Sequence, residues 1–201
     1  MPTHTLAQPP LTPGQGAALV ALARQTLAGH FGEAIDPAQA RHLAARLEDP
    51  ALQHIGATFV TLTLDERLRG CIGSLSATAP IVTSVRDNAL NAAFHDPRFA
   101  PLRRHELARV HIEVSVLSEP VPLAYANADE LLVRLRPGVD GVIIQKGSAS
   151  ATFLPQVWQQ LARPEAFLDH LCTKAGLRPD RWRQGDLVVQ VYQVQYFEET
   201  R

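Results

Sequence analysis

The chain has 201 residues, 46% of them apolar, which is enough for one large domain or two small lobes sharing a core. With 19 basic and 20 acidic residues the net charge is -1, which argues against a protein held on nucleic acid mainly by phosphate neutralisation, although a local cluster such as Arg98, Arg103, Arg104 and Arg109 remains compatible with it. No run reaches the roughly 18 apolar residues of a membrane span, and two cysteines, Cys71 and Cys172, make no disulfide framework, so the expected setting is the reducing cytoplasm.

Residues 1–13 lack the basic cap and apolar stretch of a secretory signal and read as a flexible, Pro-rich tail. Thr12-Pro13-Gly14-Gln15 is a capping box with Pro at the first helical position. The helix it opens carries Leu19, Leu22, Ala23, Thr26 and Leu27 on one face, with Gly29 placed to end it. Asp36-Pro37-Ala38-Gln39 repeats the start signal for a helix that buries Leu43 and Leu47 and stops before Pro50. From Ala57 the period changes to two: Val60, Leu62 and Leu64 alternate with Thr61 and Thr63. Asp65-Glu66-Arg67 can turn the chain, so that 68–72 returns as the second arm of a hairpin. Thr78-Ala79-Pro80 starts a helix running to about His95, and the two prolines of 96–101 impose an irregular loop.

Val110, Ile112, Val114 and Val116 mark the clearest strand, whose second face carries His111, Glu113 and Ser115. A short helix near 129–135 and turn chemistry at 137–141 follow. Two strands are expected at 142–145 and 149–153, and helices at 155–161 and 164–175, the second capped by Gly176. Residues 187–197 read as one long final strand, which is expected to return to the sheet begun by the first hairpin. Paired strands with helices interspersed, and no steady βαβ rhythm, give an α+β fold with mainly antiparallel sheets and flanking helices.

The residues that could carry chemistry centre on Leu68-Arg69-Gly70-Cys71-Ile72-Gly73. Strict alternation places Arg69, Cys71 and Gly73 on one face and Leu68, Gly70 and Ile72 on the other. Glycine is disfavoured inside a strand, so Gly70 and Gly73 suggest a bulge or the close approach of a ligand or another backbone. A thiol beside the Arg69 cation suits a nucleophile, because a neighbouring cation favours thiolate; the alternative is a small buried hydrophobe. His111, Glu113 and Ser115 could form a relay or simply a polar strand face. Asp96 and Arg98 sit on the Pro-constrained loop, either as ligand-binding groups or as an ion pair that ties the loop down. Lys174 lies in the last turn of its helix, where the dipole already favours a cation, and Cys172 falls on that helix's apolar face. The cysteines and histidines do not cluster at metal-ligand spacings, so no metal, nucleotide or flavin site is expected.

Taken in order, Leu68–Gly73, Asp96-Pro97-Arg98-Phe99 with Pro101-Leu102, Ile112-Glu113-Val114-Ser115-Val116-Leu117, Leu154-Pro155-Gln156-Val157-Trp158 and Leu171-Cys172-Thr173-Lys174-Ala175-Gly176-Leu177 resemble the AMMECR family, whose bacterial and archaeal members are called AmmeMemoRadiSam system protein A. The resemblance covers about 14–198. It implies a single AMMECR-type domain over 14–201 with a larger and a smaller lobe in one compact unit. It also implies a neighbourhood shared with a Memo-like protein and a radical SAM protein, but no named reaction. Two roles are compatible with it. In the first, Cys71 is a nucleophile or redox-active thiol, with Glu113 or His111 as acid or base and Arg69, Gly70, Gly73, Asp96, Arg98 and Lys174 binding substrate or ligand. In the second, the signature segment is the interaction surface of a non-catalytic partner protein.

Overall fold

The computed structural model describes residues 9–200, so most of the expected N-terminal tail lies outside the described residues. By its internal contacts the chain divides into two compact units, one built from Pro10–Leu117 and the stretch from Gln195 onward, the other from 118–194.

In the first unit the sequence signals act as expected at its start. Thr12 Oγ1 accepts from the Gln15 N–H and Gln15 Oε1 accepts from the Thr12 N–H, which opens helix α1 (Pro13–His30). The helix runs past Gly29, and the left-handed glycine that follows it is Gly32. Helix α2 (Pro37–Leu47) is capped by Asp36. Pro50 does not merely end α2. Asp49 caps a further short helix, α3 (Pro50–Gln53), with Pro at its first position, where the missing N–H costs nothing. Strands β1 (Ala57–Leu64) and β2 (Arg67–Gly73) form the expected antiparallel hairpin. Asp65 and Glu66 hold both turn positions at positive φ, the geometry that matches the twist of a two-residue hairpin. Helix α4 (Ile81–Phe94) begins just after Pro80, and strand β3 (Val110–Leu117) pairs with β1.

The residues expected as one final strand form two, β7 (Val188–Tyr192) and β8 (Val194–Glu198). Only β8 joins the hairpin's sheet, whose order is β2-β1-β3-β8; β7 belongs to the sheet of the other unit. The apolar face of the first sheet, with Val60, Leu62, Ile112 and Val114, packs against Leu19, Ala23 and Leu27 of α1 and Val85, Ala89 and Ala92 of α4. Gly16 is the point where Phe197 of β8 meets α1: a Cβ there would lie 1.9 Å from the ring. Leu11 is tied to β8 by reciprocal bonds with the Gln195 amide.

The second unit has its own sheet, in the order β4-β7-β5-β6, from β4 (Val121–Pro122), β5 (Gly141–Lys146), β6 (Ala149–Phe153) and β7. Helices α5 (Ala128–Arg134) and α6 (Pro164–Lys174) complete it, with tight 3-10 turns at Pro155–Gln159 and Pro179–Gln184. Its core stacks Trp158 on Phe167 at 3.7 Å between ring centroids and encloses Cys172, whose thiol is pushed up by burial. Gly176 ends α6 in the left-handed conformation. The fold is thus α+β with two antiparallel sheets.

Gly70 of β2 marks a close contact between strand and α4: a Cβ there would lie 2.1 Å from the Ala92 carbonyl oxygen, a backbone atom that cannot swing aside. Gly70→Ala is therefore expected to destabilise the protein by about 3 kcal/mol, at the upper end of overpacking costs, read as a lower urea midpoint with unchanged slope.

Candidate functional site

The hexapeptide Leu68–Gly73 lies on β2, an edge strand of the first sheet. Its register against β1 is Thr61 opposite Cys71, Leu62 opposite Gly70 and Thr63 opposite Leu68, which leaves Arg69 as the extra residue of a β-bulge. The bulge corrects the expectation from strict alternation. Leu68, not Arg69, shares a face with Cys71 and Gly73, across from Thr63, Thr61 and Phe59 in turn. Arg69 turns elsewhere. Its Nε and Nη2 form a fork with the two oxygens of Glu106, each at 3.0 Å, and Nη1 donates to the Ala100 carbonyl at 2.8 Å. Both side chains are mostly enclosed, at 16% and 12% exposure. Arg69 holds the Glu106 carboxyl below its ordinary range, so its charge is matched by a carboxylate and braces the loop after α4.

The cation that faces the cysteine is Arg98. Its Nη2 donates to the Cys71 carbonyl at 3.1 Å. The guanidinium is raised above its ordinary value first by Asp96 and in smaller part by the Cys71 side chain. Asp96 Oδ2 accepts from the Cys71 N–H at 2.9 Å and from Arg98 Nη2 at 2.7 Å, while Oδ1 accepts from Arg98 Nε at 2.9 Å. The Arg98 guanidinium, ahead of the other donors, holds the Asp96 carboxyl well below the usual carboxylate range. The Asp-Pro-Arg-Phe loop is thus an ion pair and a clamp on the hexapeptide together. His95, beside it, has its Nδ1 3.1 Å from Asn91 Oδ1 instead.

The two glycines are explained by packing. Gly70 makes room for the Ala92 carbonyl, and a Cβ at Gly73 would meet the Thr58 carbonyl at 2.3 Å and the Phe59 ring at 2.4 Å.

Helices α1 and α4 pack on one face of the sheet, and the register builds three cross-strand rows on the other. Cys71, Thr61 and Glu113 form one row, Gly73, Phe59 and Ser115 a second, and Leu68, Thr63 and His111 a third. Thr61 Oγ1 donates to Cys71 Sγ at 3.4 Å. Glu113, two strands from Cys71, is pushed up chiefly by burial, a shift that the Ser115 hydroxyl, donating at 3.4 Å, partly offsets; Glu198 adds to it and His111 opposes it. His111 Nε2 lies 3.2 Å from Glu198 Oε2 of β8. Leu68 and Tyr196 leave apolar surface at this face, at 43% and 42% exposure.

Lys174 belongs to the second unit, where its Nζ donates to the Thr152 carbonyl at 3.0 Å and lies 5.0 Å from the Phe153 ring centroid. Its charge is engaged there with the edge strand β6. Thr61 and Glu198 were not singled out by sequence. Thr61 carried a signal, since the outward residue of a period-two strand faces whatever its neighbours present, whereas nothing short-range links Glu198 to His111. Among the described residues no group of three or more His, Cys, Asp or Glu side chains can hold a metal ion, and no helix is long and apolar enough to cross a membrane.

The family model for AMMECR1 matches residues 20–197. A protein of Thermofilum pendens is 37% identical, over 94% of this chain and 92% of its own length, and one of Methanopyrus kandleri is 36% identical, over 94% and 90%. The crystal structure of an uncharacterised protein from Pyrococcus horikoshii superposes with a TM-score of 0.72 at 33% identity, covering 94% of this chain and 93% of that one. A likeness of this extent reaches from α1 through β8 and takes in the hexapeptide and its clamp, so the chain belongs to the AMMECR1 family.

Proposed function

We propose that the polar face of the first sheet is a ligand-binding surface on which Cys71 is the reactive atom and Glu113 the acid or base. The observation that carries this reading is the row Cys71–Thr61–Glu113, which lines up a thiol, a hydroxyl and a carboxyl pushed up by burial on neighbouring strands. A carboxyl whose protonated form is favoured by burial is the type of group that serves as an acid or base. Two interstrand spacings, about 10 Å, separate Cys71 from Glu113. Glu113 therefore acts on the far end of a ligand that bridges Thr61, and does not take the thiol proton directly. His111, paired with Glu198 one row away, borders the same surface. The family resemblance supports a role beside a Memo-like protein and a radical SAM protein, and the two unpaired thiols suit the cytoplasm. The same resemblance supports reading 14–201 as one two-lobed domain.

A second reading is favoured by the apolar surface that Leu68 and Tyr196 leave at the face. In that reading the surface docks a partner protein and Cys71 is a contact residue without chemistry.

Native protein treated with iodoacetamide at pH 7 is expected to take up a single label at Cys71, faster than glutathione does and absent from Cys71→Ser, as read by intact mass. Cys172, fully enclosed, is expected to react only after unfolding. A Cys71 that reacts no faster than glutathione, together with equal retention of a Memo-like protein by wild type and C71S, would favour the docking reading and overturn the catalytic one.

The raised Glu113 carboxyl has a stability signature with a definite sign. Burial favours its protonated form in the fold, so the stability linked to that proton is present at low pH and is lost as pH rises through the folded value. Glu113→Gln removes the ionised form. Its melting temperature is expected to exceed that of wild type by roughly 2 °C at pH 8, with the difference vanishing toward about pH 4, where the wild-type carboxyl is also neutral.

A further inference from the structure

The clamp on Cys71 is stronger than edge protection requires. β2 is an edge strand, so one row of its backbone groups lacks a strand partner, and Cys71 contributes an N–H and a C=O to that row. Any neutral side chain that donates and accepts would satisfy both. The protein instead commits a carboxylate and a guanidinium that also bind each other. The Asp96 side chain is 2% exposed, and its oxygens receive the Cys71 N–H, the Arg98 N–H, Nε and Nη2. The Arg98 side chain is 53% exposed. The guanidinium lies 5.4 Å from the Phe99 ring centroid. The pair is therefore a fixed dipole: its negative end is enclosed and saturated with donors, and its positive end is open beside the cysteine. Arg69 offers no such end, because Glu106 and the carbonyls of Ala100 and Pro101 take up its donors.

We infer that Asp96 and Arg98 are positioning residues of the Cys71 site: they fix the cysteine's peptide at the sheet edge and hold a guanidinium against its carbonyl, beside the side chain, so that the site favours ligands carrying a carboxylate or similar anion next to the atom the sulfur meets. The inference rests on the reading of Cys71 as the reactive atom. It adds a ligand class to that reading and assigns the selectivity to Arg98 rather than to the arginine adjacent in the hexapeptide.

Two alkylating probes test it, iodoacetate and iodoacetamide. Each forms a thioether as the sulfur takes the methylene carbon, the C–I bond breaks and iodide leaves; they differ in the charge beside that carbon. The quantity read is the ratio of the iodoacetate to the iodoacetamide rate constant at Cys71, compared with the same ratio for glutathione. The wild-type ratio is expected to exceed that of glutathione by roughly 3- to 10-fold at low ionic strength and to shrink toward it in about 1 M salt, where the screening length is only a few ångströms. Arg98→Gln, which keeps donors but no charge, is expected to bring the ratio down to that of glutathione. Arg98→Lys is expected to keep most of it. Asp96→Asn, which frees the guanidinium without removing it, is expected to give an intermediate value. Arg67→Ala removes an exposed cation of the same strand and is expected to change nothing. A purely structural role for the clamp changes both rates together and leaves the ratio alone.

A wild-type ratio equal to that of glutathione, or an R98Q ratio equal to wild type, overturns this inference while leaving Cys71 reactive. A Cys71 inert to both probes overturns the reading beneath it, and this inference with it. R98K, which preserves charge and donors, keeps the comparison available if R98Q fails to fold, since an R98K ratio matching that of glutathione is equally adverse.

Discussion

Everything at the β2 edge of the first sheet depends on how closely β2 lies against α4. With no side chain at residue 70, the strand backbone can rest on the Ala92 carbonyl in the last turn of the helix. The helix ends two residues later, and the loop that leaves it starts within reach of the strand. Asp96 is therefore delivered to the Cys71 peptide, and Leu102 can return its N–H to the Ala93 carbonyl at 2.7 Å. Glu106, farther along the same loop, meets the arginine that the bulge turns out of the ladder. The hexapeptide and the Asp-Pro-Arg-Phe segment are thus one structural unit written in two places. The glycine sets the distance, the bulge sets the direction, and the two ion pairs hold both.

This arrangement separates two arginines that look alike in the sequence. Arg69 and Arg98 each sit near Cys71 and each binds a carboxylate. Their difference is burial. Where both partners are enclosed, charge is matched locally and little field escapes, so the pair serves as a brace. Where the acid alone is enclosed, the cation keeps an outward side. The same logic applies to Glu113, whose surroundings withhold water without supplying an adequate cation. A carboxyl left in that state is a cost that folding tolerates and chemistry can use.

Much of the local structure was legible because short-range rules govern it. The capping box at Thr12, the hairpin at Asp65-Glu66, the strand carrying His111 and Glu113 and the glycine cap at Gly176 all depend on neighbours within a few residues. One miss was local, and the others arose where a distant partner decides. Pro50 ended one helix as expected, but with Asp49 ahead of it it also began another. The glycines of β2 pointed to a bulge, but its place at Arg69 is set by the register against β1, and it exchanged the faces of Leu68 and Arg69. The final strand was read as continuous because its apolar alternation runs through Gln193, yet Ser118 takes that residue in a pair of 2.9 Å bonds and the chain changes sheets there. Of the residues proposed for the site, Cys71, Glu113, Asp96 and Arg98 lie on or against one sheet, whereas Lys174 is engaged inside the other unit.

The position of β8 also orders events in time. The first unit's sheet needs β8 as its fourth strand, and Arg24 of α1 is anchored on Glu199, whose carboxylate also receives the Ile112 N–H at 3.0 Å. These residues follow the whole of 118–194 in sequence. During synthesis a ribosome therefore releases helices α1 to α4 and strands β1 to β3 long before the strand that completes them. The intervening unit, whose elements lie close together along the chain, is free to fold while the first one waits with the outer edge of β3 unpaired. Loop-closure entropy makes that last pairing the slow one, and the waiting edge is where a chaperone would have most to protect.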